Sequence, residues 1–367
     1  MLGFDLHGLV SIGLVDASPA DVCAVTRQLG PIRARLAGEP DITLRFVDRI
    51  QPAQPIHYLG LDEGGFTEEG FLMLRAKGKA RTRVRIPLDQ VGGRCEILCE
   101  TGLPAVPLLI AIVNLTALTK GTLPLHAAAF DWQGTGVVIT GWSKGGKTET
   151  LLSFMLRGAR YVADEWCYVA PDGRRIFGVP EPVRLWQWQL SQLPEFRRHV
   201  PAATRARLSA LATPSRLHDL LPPRLERSAP GRTLRRVAHF LSRQTNVLVP
   251  PEALFEREVG PAEGEFSQLL LVMSAEGPRT EVVPVDPEEV ADRMVHSLEY
   301  ERIPFLEVYR MFRFAFPELS NPHVEKAEER HRTLLRQAFA GKPAHSVVHP
   351  YPVDIRSLFD AIEPVLS

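Results

Sequence analysis

Leu6, Val10, Ile12 and Leu14 set apolar side chains at even spacing among polar ones, and this alternation predicts one half-buried strand over residues 5–14. A helix follows: Ser18 is its N-cap, Pro19 takes the first helical position, Val22, Val25 and Leu29 share a face, and Gly30 stops it. Alternation returns at Ile42, Leu44 and Phe46, and short strand-like runs at 57–61, 70–74, 83–86 and 95–99 lie between glycine-bearing turns. Residues 1–102 therefore read as a small α+β domain with a mostly antiparallel sheet.

A different pattern starts at Leu103. The apolar run 103–118, interrupted by Pro104, Pro107 and Asn114, is shorter than the roughly 20 residues a spanning helix needs and predicts a buried core helix. Next come an apolar stretch at 123–130, a turn at 133–136 and the β-branched run Val137-Val-Ile-Thr140, which enters a glycine-rich loop. A helix over 147–157, a stop at Gly158 and a strand over 160–163 complete a strand–loop–helix–strand unit, the second strand returning beside the first. Residues 197–243 carry eleven Arg against only Asp219 and Glu226 and hold several prolines, which predicts helices and irregular linkers in an insertion or lid over about 197–262. Strands at 268–273 and 281–285, a helix opening at Asp286-Pro287, an amphipathic helix at 323–339, an extended 345–353 and a helix capped by Asp354 close the chain. The fold class is α/β: the N-terminal α+β domain, a phosphate-loop domain over 103–300, and a mainly helical region over 301–367.

Composition narrows the partners. Lys plus Arg and Asp plus Glu both number 43 in 367 residues, which removes a wholesale basic coat for nucleic acid and an acidic solvating chain. The Arg-rich stretch has sparse aromatics, so a solvated cover or a guide for an acidic substrate outweighs nucleic-acid contact. Four cysteines are too few for a disulfide scaffold, and the N-terminus has neither basic n-region nor apolar h-region; a cytoplasmic protein without a membrane span is expected. Homo-oligomerisation is left open.

Gly141-Trp-Ser-Lys-Gly-Gly146-Lys147-Thr148 matches G-x-x-x-x-G-K-[ST] at every fixed position, with the strand before it and the helix after it that the motif requires. Gly141, Gly145 and Gly146 let backbone N–H groups converge on phosphate oxygens at a helix N-terminus. Lys147 would hold the β and γ oxygens and the Thr148 hydroxyl would ligate Mg2+. Ser143, Lys144 and Glu149 complete the expected nucleotide-binding set, and Lys144 adds a second cation. Sixteen residues after Thr148 come Asp164 and Glu165, at the end of a strand that returns to the loop after a helix of about eleven residues and roughly 16 Å. Two adjacent acids suit two tasks, ligating Mg2+ and taking a proton from an attacking hydroxyl, without fixing which does which. His126, at the start of what reads as a hairpin strand leading into Val137, is by itself better explained as a packed core histidine. Arg184, beside Trp186 and Trp188, offers a fork for a carboxylate or phosphate.

Together, Leu125-His126, the run Val137 to Thr150 and Arg157-Gly-Ala-Arg-Tyr-Val-Ala-Asp164-Glu165 resemble the catalytic domain of HPr kinase/phosphorylase and its serine-kinase relatives, which are related in fold to ATP-dependent phosphoenolpyruvate carboxykinase. The resemblance implies ATP and Mg2+ as cofactors, metal ligation by Thr148, Asp164 and Glu165, and catalysis by Asp164, Glu165, Lys147 and His126, the last near the transferred phosphoryl group. Two features depart from that pattern. Glu165 stands where the family has Asp, and no E-V-R-G-h-G-I-like segment is present, so HPr itself is not the expected acceptor. The expected activity is transfer of the γ-phosphoryl group of ATP to a Ser-like hydroxyl of an amino acid, peptide or protein. The alternatives are an ATP-binding regulatory or assembly module without chemistry, and a carboxykinase-like lyase, for which a second metal-binding cluster is lacking.

Overall fold

The predicted first helix, α1 (Pro19–Leu29), forms where its end signals lie: Ser18 and Asp21 make a reciprocal capping box, and Gly30 ends it with a φ of 73°, which glycine adopts without strain. The strands around it are β1 (Leu2–Leu6), β2 (Val10–Val15), β3 (Arg33–Arg35), β4 (Ile42–Val47), β5 (His57–Leu59), β6 (Gly64–Thr67), β7 (Gly70–Arg75), β8 (Arg81–Arg85) and β9 (Cys95–Glu100). They form one nine-stranded sheet in the order β3-β1-β2-β4-β9-β8-β7-β6-β5. Only the β2–β4 and β4–β9 neighbours are parallel, so the sheet is mostly antiparallel, as expected. The computed structural model describes residues 2–60, 63–75, 81–219, 228–242, 244–255 and 262–366; Leu61 and parts of the Arg-rich segment, 220–227, 243 and 256–261, lie outside them.

The single strand expected over 5–14 is two. The chain reverses at His7-Gly8, both with positive φ, and β1 and β2 pair as a hairpin with Leu6 opposite Val10. Val10 lies four positions after Leu6, an even spacing, so the alternation passes through the turn unbroken and hides it. The apolar run 103–118 becomes α2 (Leu109–Thr119), shortened at its start, where Pro104 and Pro107 precede it. It packs on the buried face of the sheet, among Phe4, Ile12, Ile42, Leu44 and Ile97. Asn114, polar within this apolar helix, is explained by Tyr168, whose buried hydroxyl donates to Asn114 Oδ1 at 2.6 Å.

The remaining strands are β10 (Leu123–His126), β11 (Ala128–Trp132), β12 (Thr135–Thr140), β13 (Arg160–Ala163), β14 (Trp166–Val169), β15 (Arg175–Gly178), β16 (Val183–Trp186), β17 (Asn246–Val249), β18 (Glu263–Glu265), β19 (Gln268–Ala275), β20 (Glu281–Pro284) and β21 (Ala344–Pro350). Six make the central sheet β13-β11-β12-β19-β21-β20, and four make a second, antiparallel sheet β10-β14-β15-β18. β12 runs parallel to β19, and β19 to β21; apolar side chains cover both faces there, which explains the uninterrupted apolar runs of β12 and β19. The strand over 160–163 does not return directly beside β12: β11 lies between them. His126 does not begin the hairpin strand either. It ends β10 in the second sheet, opposite Trp166 of β14.

The phosphate-loop helix, α3, covers Lys147–Met155, two residues short of the expected end. Within the Arg-rich segment the helices Ala202–Asp219 and Ala229–Ser242 pack on each other, and a short helix, Pro251–Phe255, follows among the described residues. A 29-residue helix, Pro287–Ala315, opens at the Asp286 cap and passes position 300 without a break; Phe305, Val308, Tyr309 and Phe312 in its second half pack into the core of the first sheet. The amphipathic helix expected over 323–339 is split at Lys326 into Pro322–Glu325 and Ala327–Phe339, and the extended segment after it is β21, part of the central sheet. Among the described residues no helix is long and apolar enough to cross a membrane, and all four cysteines are free.

The Tyr168–Asn114 bond yields a test. Tyr168→Phe strands a buried carbonyl and is expected to cost about 1–3 kcal/mol in denaturant unfolding, whereas Tyr168→Phe combined with Asn114→Leu removes both partners and recovers most of that loss. Equal losses in the single and double variants would contradict this account.

Candidate active site

The phosphate loop takes its shape from what surrounds it. Gly141 has a φ of 145°, and a Cβ there would overlap the carbonyl oxygen of Val272 on β19. Gly145 N–H donates to Trp142 O at 3.0 Å, turning the loop, and Lys144 adopts a left-handed φ of 63°. Gly146 caps α3 with a φ of 109°; a Cβ there would strike His349 Nε2. His349 is buried at the end of β21, with Nε2 3.0 Å from Gly145 O, and it supports the loop from below. No side chain caps α3, so its first N–H groups remain free for an anion.

Lys147 is buried and donates through Nζ to the loop carbonyls of Gly141 at 3.3 Å and Trp142 at 3.1 Å. Burial lowers its pKa against the pull of Glu165, Glu301, Asp164 and Glu149. Thr148 Oγ1 donates to Asp164 Oδ1 at 2.9 Å, which joins the start of α3 to the end of β13. Asp164 is only 3% exposed and its Oδ2 has no partner. Burial, reinforced by the neighbouring Glu165 charge, lifts its pKa to about 7 against the Thr148 hydrogen bond.

Glu165 is half-buried, and its Oε2 lies 3.0 Å from His126 Nε2. Burial disfavours the Glu165 charge, but the His126 hydrogen bond and the charges of His126, Arg184 and Lys147 outweigh it and hold the carboxyl below its usual range. For His126, burial opposes protonation, and the Glu165 hydrogen bond together with the nearby Glu301 carboxylate overcomes it, so its pKa is raised. His126 Nδ1 is 2.9 Å from Glu301 Oε1, within ion-pair distance, although neither atom has a well-aligned hydrogen bond.

Lys147, Thr148, Asp164, Glu165 and His126 thus converge on one end of the central sheet. Other residues singled out in the sequence sit differently. Ser143 is half-buried in the loop, while the Lys144 side chain is exposed. Glu149 Oε1 accepts from Gln189 Nε2 at 2.8 Å, which ties it to the helix Gln187–Gln192. Arg184 on β16 donates to Asn246 Oδ1 at 3.3 Å, with its charge still felt at Glu165. Glu301, His349 and Gln189 escape the sequence reading. Glu301 lies among the charges of a long amphipathic helix and Gln189 in a short one, and nothing local marks His349 before it reaches the loop through β21.

No family model matches the chain. HPr kinase/phosphorylase of Latilactobacillus sakei subsp. sakei (strain 23K) is 27% identical over 142 residues, covering 34% of this chain and 45% of that protein. The likeness is distant, and it is to a kinase. It agrees with the family that the loop and acid-pair motifs resemble, and it spans less than half of the relative's length.

Asp164 gives a pH signature. Its folded pKa of about 7 lies above the ordinary 3.8, so the folded state keeps a proton that the unfolded chain has lost, and stability falls as pH rises from about 4 to 7. The full burden, on the order of 4 kcal/mol, applies above neutrality. Asp164→Asn, which keeps an acceptor for Thr148, is expected to raise Tm by several degrees at pH 8 in EDTA and to make little difference near pH 4. A Tm difference independent of pH would refute the assignment.

Proposed function

We propose that the chain is an ATP-dependent phosphotransferase that passes the γ-phosphoryl group of ATP to a serine-type hydroxyl on an amino acid, peptide or protein. The observation that carries this reading is the contact of Thr148 with Asp164 beside the Glu165–His126 pair, with Lys147 at the same strand ends. Glycine-bearing strand-to-helix turns are common, but one that meets two acids and a histidine from separate strands suits phosphoryl transfer.

The side chains fit a nucleotide with Mg2+. Asp164 Oδ2 is a buried oxygen without a partner next to the Thr148 hydroxyl, a carboxyl short of a cation, and the first N–H groups of α3 face the loop uncapped. Thr148, Asp164 and Glu165 would hold the metal, which when bound neutralises charge on the phosphates. Lys147 exchanges its two loop carbonyls for phosphate oxygens, and the α3 N–H groups bind the same anion. Asp164, buried against Thr148, serves chiefly as ligand. Glu165 is more exposed and ionised, and it accepts the proton as the acceptor oxygen bonds to the γ-phosphorus and the bond to the β–γ bridging oxygen breaks. ADP and a phosphomonoester leave. The cationic tendency of His126 offsets the charge that gathers beside it.

The distant relative is a kinase for HPr by its name, but the missing E-V-R-G-h-G-I-like segment argues for a different acceptor here. In an assay with labelled ATP, HPr and a panel of serine-containing amino acids and peptides, label is expected on a serine-type hydroxyl and absent from HPr. Lys147→Ala is expected to weaken ATP–Mg2+ binding in calorimetry. Glu165→Gln, which keeps an oxygen for the metal but not the charge of a base, is expected to weaken ATP–Mg2+ binding far less than it lowers turnover, which falls by roughly 10²–10⁴. Label on HPr alone, an acid-labile acyl phosphate, or a Glu165→Gln protein with full turnover would overturn the proposal.

A further inference from the structure

Resting on the kinase reading above, we infer that Glu301 is a positioning residue for phosphoryl transfer, holding His126 from the side opposite Glu165. His126 is 7% exposed and has a carboxylate beside each ring nitrogen: Nε2 is hydrogen-bonded to Glu165 at 3.0 Å, and Nδ1 lies at ion-pair distance, 2.9 Å, from Glu301 Oε1. Trp166 closes a third side, its ring centroid 5.6 Å from that of His126. A ring so confined keeps one orientation only while both carboxylates are present. Removing Glu301 would leave Nδ1 facing a site from which water is largely excluded, and the imidazole would lose the partner that opposes its pull toward Glu165.

The backbone carrying Glu301 is fixed independently of His126. One turn earlier, Ser297 Oγ lies 3.4 Å from Gly141 O, and the Tyr300 ring packs on Trp142 with centroids 4.9 Å apart, so the same helix touches the phosphate loop twice. One turn later, Phe305 enters the core of the N-terminal sheet. Glu301 therefore sits where a rigid element passes from one body of the protein to the other, and the N-terminal sheet helps to set the catalytic histidine through it. None of the residues proposed above to hold nucleotide or metal belongs to this helix.

The test uses the full-length protein with Glu301→Gln and Glu301→Asp. The His126 side-chain nitrogens, identified by their loss in His126→Gln, are followed by NMR in parallel with steady-state kinetics. Glu301→Gln is expected to shift the His126 Nδ1 resonance, to lower kcat by about 10- to 100-fold, and to leave KM for ATP and the amide signals of 141–148 unchanged. Glu301→Asp is expected to recover part of the lost turnover. An unmoved Nδ1 resonance would overturn the inference, as would unchanged kcat or a rise in KM for ATP matching the loss in kcat, which marks general disruption of the loop. Should the wild-type protein transfer no phosphate to any acceptor, the kinase reading fails, and the Nδ1 resonance alone decides whether Glu301 holds His126.

Discussion

Thr148 and Asp164 meet at 2.9 Å although they follow strands that are not neighbours. β12 delivers the loop that leads to Thr148, β13 delivers Asp164, and β11 lies between them, antiparallel to both. Two antiparallel steps restore direction, so β12 and β13 end on the same edge of the sheet. The helix between them needs only to carry the chain away and back. The other polar contacts of the site lie around this junction: Lys147 is bent onto its own loop, Glu165 turns to His126, and Asp164 keeps one oxygen without a partner. A buried carboxyl in this state is costly, and nothing in a packed core requires it. It is the local instability that the proposed cation would relieve.

The walls of the site come from distant parts of the chain. The second sheet brings His126 through β10, the long helix brings Glu301, and the last strand of the central sheet brings His349 under Gly145. The helix Pro287–Ala315 also belongs to the core of the first sheet, where Phe312 meets Phe71 edge-on at 6.3 Å. The core of the first sheet and the core on one face of the central sheet both draw side chains from that helix, so neither is complete without it. This accounts for a helix of 29 residues, longer than either core needs alone.

Much of this was legible in the sequence wherever the signal was local. The Ser18 cap with Pro19 and Gly30 marked α1, and the apolar run, the glycines and the polar start of the next segment marked β12, the loop after it and α3. The pairing of Asp164 with Thr148 followed from spacing and direction, even though the intervening β11 did not. What stayed hidden depends on tertiary contact. β6 begins with two glycines and β3 is a three-residue, largely exposed edge strand, so neither carries a periodic pattern. The turn at His7-Gly8 kept the alternation in phase. His126 sat among alanines, as a packed core residue would, and only the cross-strand register with Trp166 turns it toward Glu165. Glu301 had no mark of its own among the many charges of its helix.

β21 has a consequence for how the protein comes into being. It lies between β19 and β20, parallel to the first and antiparallel to the second, and is drawn from residues 344–350. As the chain emerges from the ribosome, β19 and β20 appear some sixty residues before the strand that must separate them. Through that interval the two strands cannot take their final places, Gly145 lacks the imidazole beneath it, and the loop has no fixed floor. The nascent chain thus carries the complete loop sequence, Gly141 to Thr148, long before that loop has its support, and the loop takes its final form late in synthesis, together with closure of the sheet.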